Sequence, residues 1–418
     1  MSNTIKPMLF HCLQHNHTSQ RLRVIQCSPH YPRPLLWGQD EQGHIHPLPL
    51  TSDFSNKWSI ATSPGLFARD PARILGCLLG GAAGDALGAA VEFMSWTNIL
   101  YEFGSQGIRA MTKAYGRKGA ITDDTQMMLF TAEGLLRAVV RAESRGICHP
   151  PAVVHHALLR WLLTQNISPT TNVGKDGWLI KESALWARRA PGNTCVNALR
   201  LSSSFGEPAV NNSKGCGGVM RVAPCAFFSG AFELASDTAR LTHGHPTGYL
   251  AAGLFADILQ RIWQHSMSLL EACSSSLKEH GDLPGMAETK TILELVLKLH
   301  QEGARPTPKG IEKLGGGWVA EEALAIGLWC ALCAHNLEDG ITMAVNHSGD
   351  SDSTGMIAGN LLGLIHGPEA IPAHWLAELE LREVITQMAA DISFVPAVYD
   401  DNENTDISLW IEERYPGW

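Results

Sequence analysis

From Pro71 to the C-terminus, apolar residues recur at three- and four-residue spacings, the period of a helix with one face or all faces buried. The spacing predicts helices over 71–89, 124–143, 151–164, 178–188, 232–240, 246–264, 288–302, 319–335, 337–346, 354–366 and 373–391. Polar or Gly/Pro-rich connectors at 106–121, 165–177, 206–218 and 303–317 separate them. Strand alternation is nearly absent, so residues 69–418 read as one all-α domain with long loops, and such loops usually carry function. Residues 1–68 differ, being rich in His, Pro and Gln with no helical period. Alternation at Leu22–Gln26, and at Leu35–Gly38 and His44–Leu50 around a turn at 39–43, predicts short strands. Pro32, Pro34, Pro47 and Pro49 would confine any strand to a sheet edge. A small N-terminal extension, irregular or β-rich, is expected, with its boundary near Ser63-Pro64-Gly65.

Two rows of glycine cut across the helical pattern: Gly76, Gly80, Gly84 and Gly88, then Gly355, Gly359, Gly363 and Gly367. A helical Gly costs about 1 kcal/mol relative to Ala. Four on one face imply an offsetting gain, most simply another helix approaching backbone to backbone. The first row lies in Ile74–Val91, apolar enough to suggest a membrane helix. Asp85 within it would cost about 2.5–3.5 kcal/mol near a bilayer centre. Its second half is mostly small residues, so a buried soluble helix is expected.

Composition narrows the function classes. Net charge is −9, from 41 acidic against 32 basic residues, and no basic stripe is visible, which argues against nucleic acid as partner. An anionic small ligand stays compatible, because a bound metal would supply positive charge. Met1–Leu13 has a single Lys and no apolar run of signal-peptide length. The ten cysteines are scattered through apolar runs, fitting buried thiols in a reducing cytoplasm.

Two acidic, hydroxyl-rich clusters carry the chemistry. Thr122-Asp123-Asp124-Thr125 and Asp350-Ser351-Asp352-Ser353-Thr354 each stand before an apolar helical run. Either could be a helix cap with acids favoured by the dipole. Two in one chain favour metal ligation, and hard oxygen donors suit Mg²⁺ or Mn²⁺ better than zinc. The loop Ser213-Lys214-Gly215-Cys216-Gly217-Gly218 could cradle a phosphate through free N–H groups, and Gly315-Gly316-Gly317 before Trp318 has the same character. His243 and His245 are as readily surface or capping residues. Cys330 and Cys333 mimic a redox pair but sit in an apolar helical run, and His44 and His46 lack further zinc ligands.

The segments GCLLGGAAGDALGAAVEF, ITDDTQMM, SKGCGGVMRVAP, LTHGHPTGYLAAG, GGGWVAEEALAIGLWC and NHSGDSDSTG, in this order between about Ala72 and Ala390, resemble the ADP-ribosylglycohydrolases. That family includes dinitrogenase reductase-activating glycohydrolase and the ADP-ribosylarginine hydrolases. The resemblance implies an orthogonal all-α bundle with a binuclear Mg²⁺ centre. By position, Thr122, Asp123 and Asp124 match one ligand set, and Asp350, Asp352 and Ser353 the other. Many members have Thr at the position of Ser353; the ADP-ribosylarginine hydrolases resemble this chain in using Ser. Glu92 matches a glutamate that reaches the metals and the substrate ribose. Ser213, Gly215, Cys216 and Gly217 match the diphosphate loop, His243 a ligand-contacting histidine, and Trp318 the region lining the adenosine side. The implied reaction is hydrolysis of the bond between ADP-ribose and a protein arginine, with Glu92, Asp123, Asp124 and Asp352 as candidate catalytic groups. Some members resemble immunity proteins whose N-terminal arm plugs an ADP-ribosyltransferase toxin, and residues 1–68 could serve so. The alternatives are a regulatory ADP-ribosylarginine hydrolase without a toxin partner, or a non-catalytic binding relative.

Overall fold

A computed structural model of the chain describes residues 8–28, 35–51, 53–61, 66, 69–400 and 405–417. The helix Pro71–Gly88 is its central rod. Asp70 starts it, accepting a hydrogen bond from Ala72 N at 2.9 Å, and Pro71 occupies the first turn, where no N–H is needed. Every residue in it except Arg73 is buried, which explains the absence of a polar face. No helix among the described residues is long and apolar enough to cross a membrane.

The glycine rows pack Pro71–Gly88 antiparallel against Ser351–His366. A Cβ added at Gly76, Gly80 or Gly84 would collide with the carbonyl oxygens of Gly363, Gly359 and Gly355 respectively. One added at Gly88 would lie 2.5 Å from Asp352 N. No other residue type permits this approach, and Asn360 Nδ2 strengthens it by donating to Cys77 O at 2.8 Å. The C-terminal end of the first helix therefore meets the N-terminal end of the second.

Most helices fall where the periodicity predicts, with three corrections. The expected helix at 178–188 is two short 3₁₀ turns, Leu179–Lys181 and Ser183–Leu185. Side chains anchor this stretch: Trp178 lies under the Arg414 guanidinium, 4.0 Å from its ring centroid, and Trp186 Nε1 donates to Ile180 O. The expected helix at 373–391 breaks into Ala373–Glu378 and Arg382–Asp400. At the break Leu381 has φ +57° and Glu380 turns inward, accepting from Ile121 N, Arg117 and Arg189. The helix expected at 354–366 begins at Ser351, which places Asp352 and Ser353 in its first turn. Helices at Trp96–Phe103, Asn193–Leu201 and Leu269–His280 escape the periodic reading.

The N-terminal extension is β-rich. Strands β1 (Cys12–His15), β2 (Arg21–Ser28), β3 (Leu35–Gln39), β4 (Ile45–Pro49) and β5 (Trp58–Ile60) form an antiparallel sheet in the order β4-β3-β2-β1-β5. β4, with Pro47 and Pro49, lies at an edge as expected; β1 and β5 were not foreseen. Pro32, Pro34 and the boundary Ser63-Pro64-Gly65 lie outside the described residues. One face turns Ile25, Trp37 and Ile45 into the main core, with Trp37 against Phe394 at 5.8 Å between ring centroids. The other buries Leu13, Leu22, Val24, Leu36 and Leu48 under Phe54 and Trp58. Arg23 of β2 makes a buried two-pronged pair with Asp70, at 3.0 and 2.8 Å.

Candidate active site

Three helix ends converge on one buried acidic space. Thr122 caps the helix Asp123–Arg145, its hydroxyl accepting from Asp124 N at 3.2 Å, so both aspartates occupy the first turn. Asp85, deep in Pro71–Gly88, reaches across and accepts from Thr122 N, Thr125 N and the Thr125 hydroxyl at 2.5–3.2 Å. A carboxylate from one helix thereby seats the start of another. Asp350 and Asp352 come from the start of Ser351–His366. Ser353 Oγ donates to Asp124 Oδ2 at 2.8 Å, which joins the two clusters directly. Asp123 accepts from Gly192 N at 3.3 Å, and the Cys216 thiol donates to Asp350 at 2.8 Å.

Glu92, four residues beyond the first glycine helix, closes the space. One carboxylate oxygen from each of Glu92, Asp350 and Asp352 lies within 4.8 Å of the others. Glu92 is 7% exposed, and its Oε2 has no hydrogen-bond partner among the described residues. Burial, then the charges of Asp352, Asp350 and Asp123, push its carboxyl up to about 11. Burial and Asp352 raise Asp85 to about 7, against the lowering pull of its Thr125 and Thr122 hydrogen bonds. Burial first and Asp352 next hold Asp123, Asp124 and Asp350 well above the usual carboxylate range. So many buried carboxylates repel one another, and a cation placed among them relieves that cost.

The glycine loop sits alongside. Cys216–Arg221 forms a 3₁₀ turn whose shape is fixed by buried Arg221, which donates to Gly217 O, Thr238 O and Thr242 Oγ1 at 2.7–3.0 Å. Two of the loop's N–H groups already have partners: Gly215 N donates to Ser213 Oγ and Cys216 N to Trp318 O. His243 lies beneath; a Cβ at Gly215 would be 3.3 Å from its Nε2 and one at Gly217 3.1 Å from its Cε1. Burial, then Arg221, lowers its imidazole to about 3, so it is neutral, and Thr242 Oγ1 is 2.9 Å from its Nδ1. Beside Ser213 opens a cavity of about 510 Å³, lined by Asn193, Thr194, Val210, Asn211 and Leu241 among others. Trp318 is not among the lining residues. Its loop is clipped to the acidic end instead: Asp350 N donates to Gly316 O at 2.8 Å, and Glu322 accepts from Gly316 N and Gly317 N.

The fold brings together Thr122, Asp123, Asp124, Asp350, Asp352, Ser353, Glu92 and Cys216, with Ser213, Gly215, Gly217 and His243 adjoining. Supports for these groups lie outside the sequence-predicted set, among them Arg189, whose carbonyl accepts from Asp123 N at 3.0 Å. Asp85 had a signal, as a lone acid in a Gly/Ala helix. Tyr115, at φ +48° in the turn between Lys113–Ala114 and Arg117–Lys118, and Arg189, 5.3 Å from the centroid of its ring, had none.

A family model described as ADP-ribosylglycohydrolase matches residues 68–403. The chain belongs to that family. As an ADP-ribosylglycohydrolase it is an enzyme that hydrolyses N-glycosidic bonds to ADP-ribose. The chain is 25% identical over 342 residues to the ADP-ribosyl-[dinitrogen reductase] glycohydrolase of Rhodospirillum rubrum, covering 76% of this chain and 95% of that protein. It is 24% identical over 345 residues to the ADP-ribosylarginine hydrolase Tri1 of Pseudomonas putida, covering 77% of each. A solved structure titled "ADP-ribosylglycohydrolase-related protein complex" superposes with a TM-score of 0.57 at 27% identity, covering 79% of this chain and 99% of that one. The five-stranded sheet precedes the matched residues.

Proposed function

We propose that this glycohydrolase releases ADP-ribose from protein arginine side chains with two Mg²⁺ ions, or Mn²⁺ in their place. Thr122, Asp123, Asp124, Asp350, Asp352 and Ser353 would hold them. The observation that carries the reading is the 2.8 Å hydrogen bond from Ser353 to Asp124, joining two oxygen-donor clusters in a buried, carboxylate-crowded space. The donors fit a hard divalent ion, and the orphaned Glu92 Oε2 is an acceptor with nothing to accept. When bound, such ions orient ribose hydroxyls and make water easier to deprotonate. Asp123, Asp124 or Asp352 takes the proton from the attacking water. Glu92 holds a ribose hydroxyl or relays a proton toward the departing guanidine, which leaves readily only when protonated. The surrounding carboxylates favour the oxocarbenium character that develops at the anomeric carbon. By position the loop of Ser213, Gly215, Cys216 and Gly217 would hold the diphosphate over the neutral His243, although the Gly215 and Cys216 N–H groups already have partners and would not be its donors. The test is Mg²⁺ with proteins ADP-ribosylated on Arg or on Ser, followed by measurement of free ADP-ribose. Release from arginine is expected to dominate; release from serine alone would overturn the linkage, and release from neither the whole reading.

A second reading concerns the sheet, which lies outside the family match. Arg23 pins it to Asp70, at the opposite end of Pro71–Gly88 from Glu92. Eighteen helical residues span about 27 Å, so the sheet's anchor lies well away from the hydrolase site. The sheet is part of the core, so removing it would disturb the fold. Charge reversals at the exposed Arg21 and Glu41 are the cleaner test. They are expected to weaken binding of an ADP-ribosyltransferase toxin while hydrolysis continues, and unchanged toxin binding would count against this surface.

A further inference from the structure

Two large aromatic side chains stand exposed at the lip of the acidic space. Phe93, directly after Glu92, is 73% exposed, and Trp318, directly after Gly317, is 46% exposed. Their rings lie nearly parallel, at 21°, with centroids 6.0 Å apart. They arrive from two separate elements, one fixed by the first glycine helix and one by the Gly315–Gly317 loop hydrogen-bonded to Asp350 and Glu322. What distinguishes them from the chain's other exposed apolar residues is their pairing, which presents a flat aromatic surface beside the carboxylates.

We infer that Phe93 and Trp318 form an aromatic rim that receives the leaving side chain and selects a cationic guanidinium. The inference rests on the arginine reading above and deepens it. Position separates the rim from the nucleoside end. The 510 Å³ cavity borders Ser213, whereas Cys216, further along the same loop, touches Asp350. Trp318 O accepts from Cys216 N, so the rim adjoins the end of the loop that touches Asp350, and the cavity lies at its Ser213 end. A ribose held at the carboxylates with its diphosphate on the loop directs the group on its anomeric carbon outward, toward the rim. Trp318 thus serves the leaving group, in contrast to the adenosine side that the resemblance implies. A planar guanidinium stacks on such a ring through its delocalised charge, and a neutral serine side chain gains little from it.

The experiment compares the unmutated protein with Trp318→Ala, Phe93→Ala and Trp318→Phe, all at exposed positions. Three probes are used with Mg²⁺: ADP-ribose by calorimetry, an arginine-linked ADP-ribosyl peptide, and a serine-linked one as substrate or competitive inhibitor. Removal of either ring is expected to raise KM for the arginine-linked peptide about tenfold, kcat staying within about twofold. Affinities for ADP-ribose and the serine-linked peptide should hold within the same margin, and Trp318→Phe should restore most of the loss. Equal weakening of ADP-ribose would place the rings on the nucleoside, and equal weakening of the serine-linked peptide would make them a mere wall; either overturns the inference. A KM indifferent to both rings overturns the rim but leaves the arginine reading standing. No cleavage of the arginine-linked peptide by the unmutated protein overturns both.

Discussion

The charge of Asp352 helps push Asp85, Glu92, Asp123, Asp124 and Asp350 upward, which makes it the electrostatic hub of the site. Asp123→Ala and Asp352→Ala are each expected to abolish ADP-ribose release in a timed assay while circular dichroism stays unchanged. Full activity in both variants would remove the metal assignment. The raised carboxyls also set a pH dependence. Their folded values exceed their unfolded ones, so the ion-free protein loses stability as pH rises from the unfolded value, near 4, through about 7 for Asp85. The neutral buried His155, His156, His243 and His347 act oppositely, losing stability as pH falls below 6.5. Comparing melting with and without Mg²⁺ at each pH removes the histidine part. The Mg²⁺-induced rise in Tm is expected to be larger at pH 8 than at pH 6, because fewer protons must then be displaced. A rise independent of pH would mean the carboxyls are not the ligands. At this scale the sequence exposed the donors, because oxygen ligands cluster in short runs. It concealed Tyr115 and Arg189, whose place depends on loops without periodicity.

The interlocked helices supply the element-scale test. Gly76→Ala, at the end remote from the acids, and Gly84→Ala, one turn from Gly88, both push a methyl into a facing carbonyl. Each is expected to cost about 1–3 kcal/mol in denaturant unfolding. Gly84→Ala should also depress kcat by more than its stability loss explains, because the displaced helix end carries Glu92 away from Asp350. Equal kcat in the two variants would show that the interface does not set the site's geometry. The fourfold glycine spacing makes this contact legible in the sequence. By contrast, Leu269–His280 had a readable start, Ser268 and Glu271 forming a capping box, yet its three consecutive serines blurred the apolar stripe. The break at Leu379–Leu381 was not legible, since Glu380 is drawn inward by groups far away in sequence.

For the whole molecule, the sheet and the helices share one core, so they should melt together. Arg23→Ala strands Asp70 as a buried, unpaired acid and is expected to cost about 3–5 kcal/mol, read as a lower Tm for a single transition. KM should not change, because the pair sits at the far end of Pro71–Gly88. Two separate transitions would instead mark the sheet as an independent unit. The all-α class was legible because long periodic runs fix element type locally; the sheet's docking was not, since it depends on which face meets Phe394. The glycine contact also bears on synthesis. Asn360 and Cys77, bonded across it, are 283 residues apart. While the ribosome makes the intervening chain, the almost wholly apolar Pro71–Gly88 has no partner to cover its notched face. Nascent chains emerge at about 5–20 residues per second, so that face waits roughly 15–60 seconds before Ser351–His366 can reach it. The enzyme is therefore without activity until the last fifth of its length is made, and its half-built form is a natural client for a chaperone that shields apolar helices.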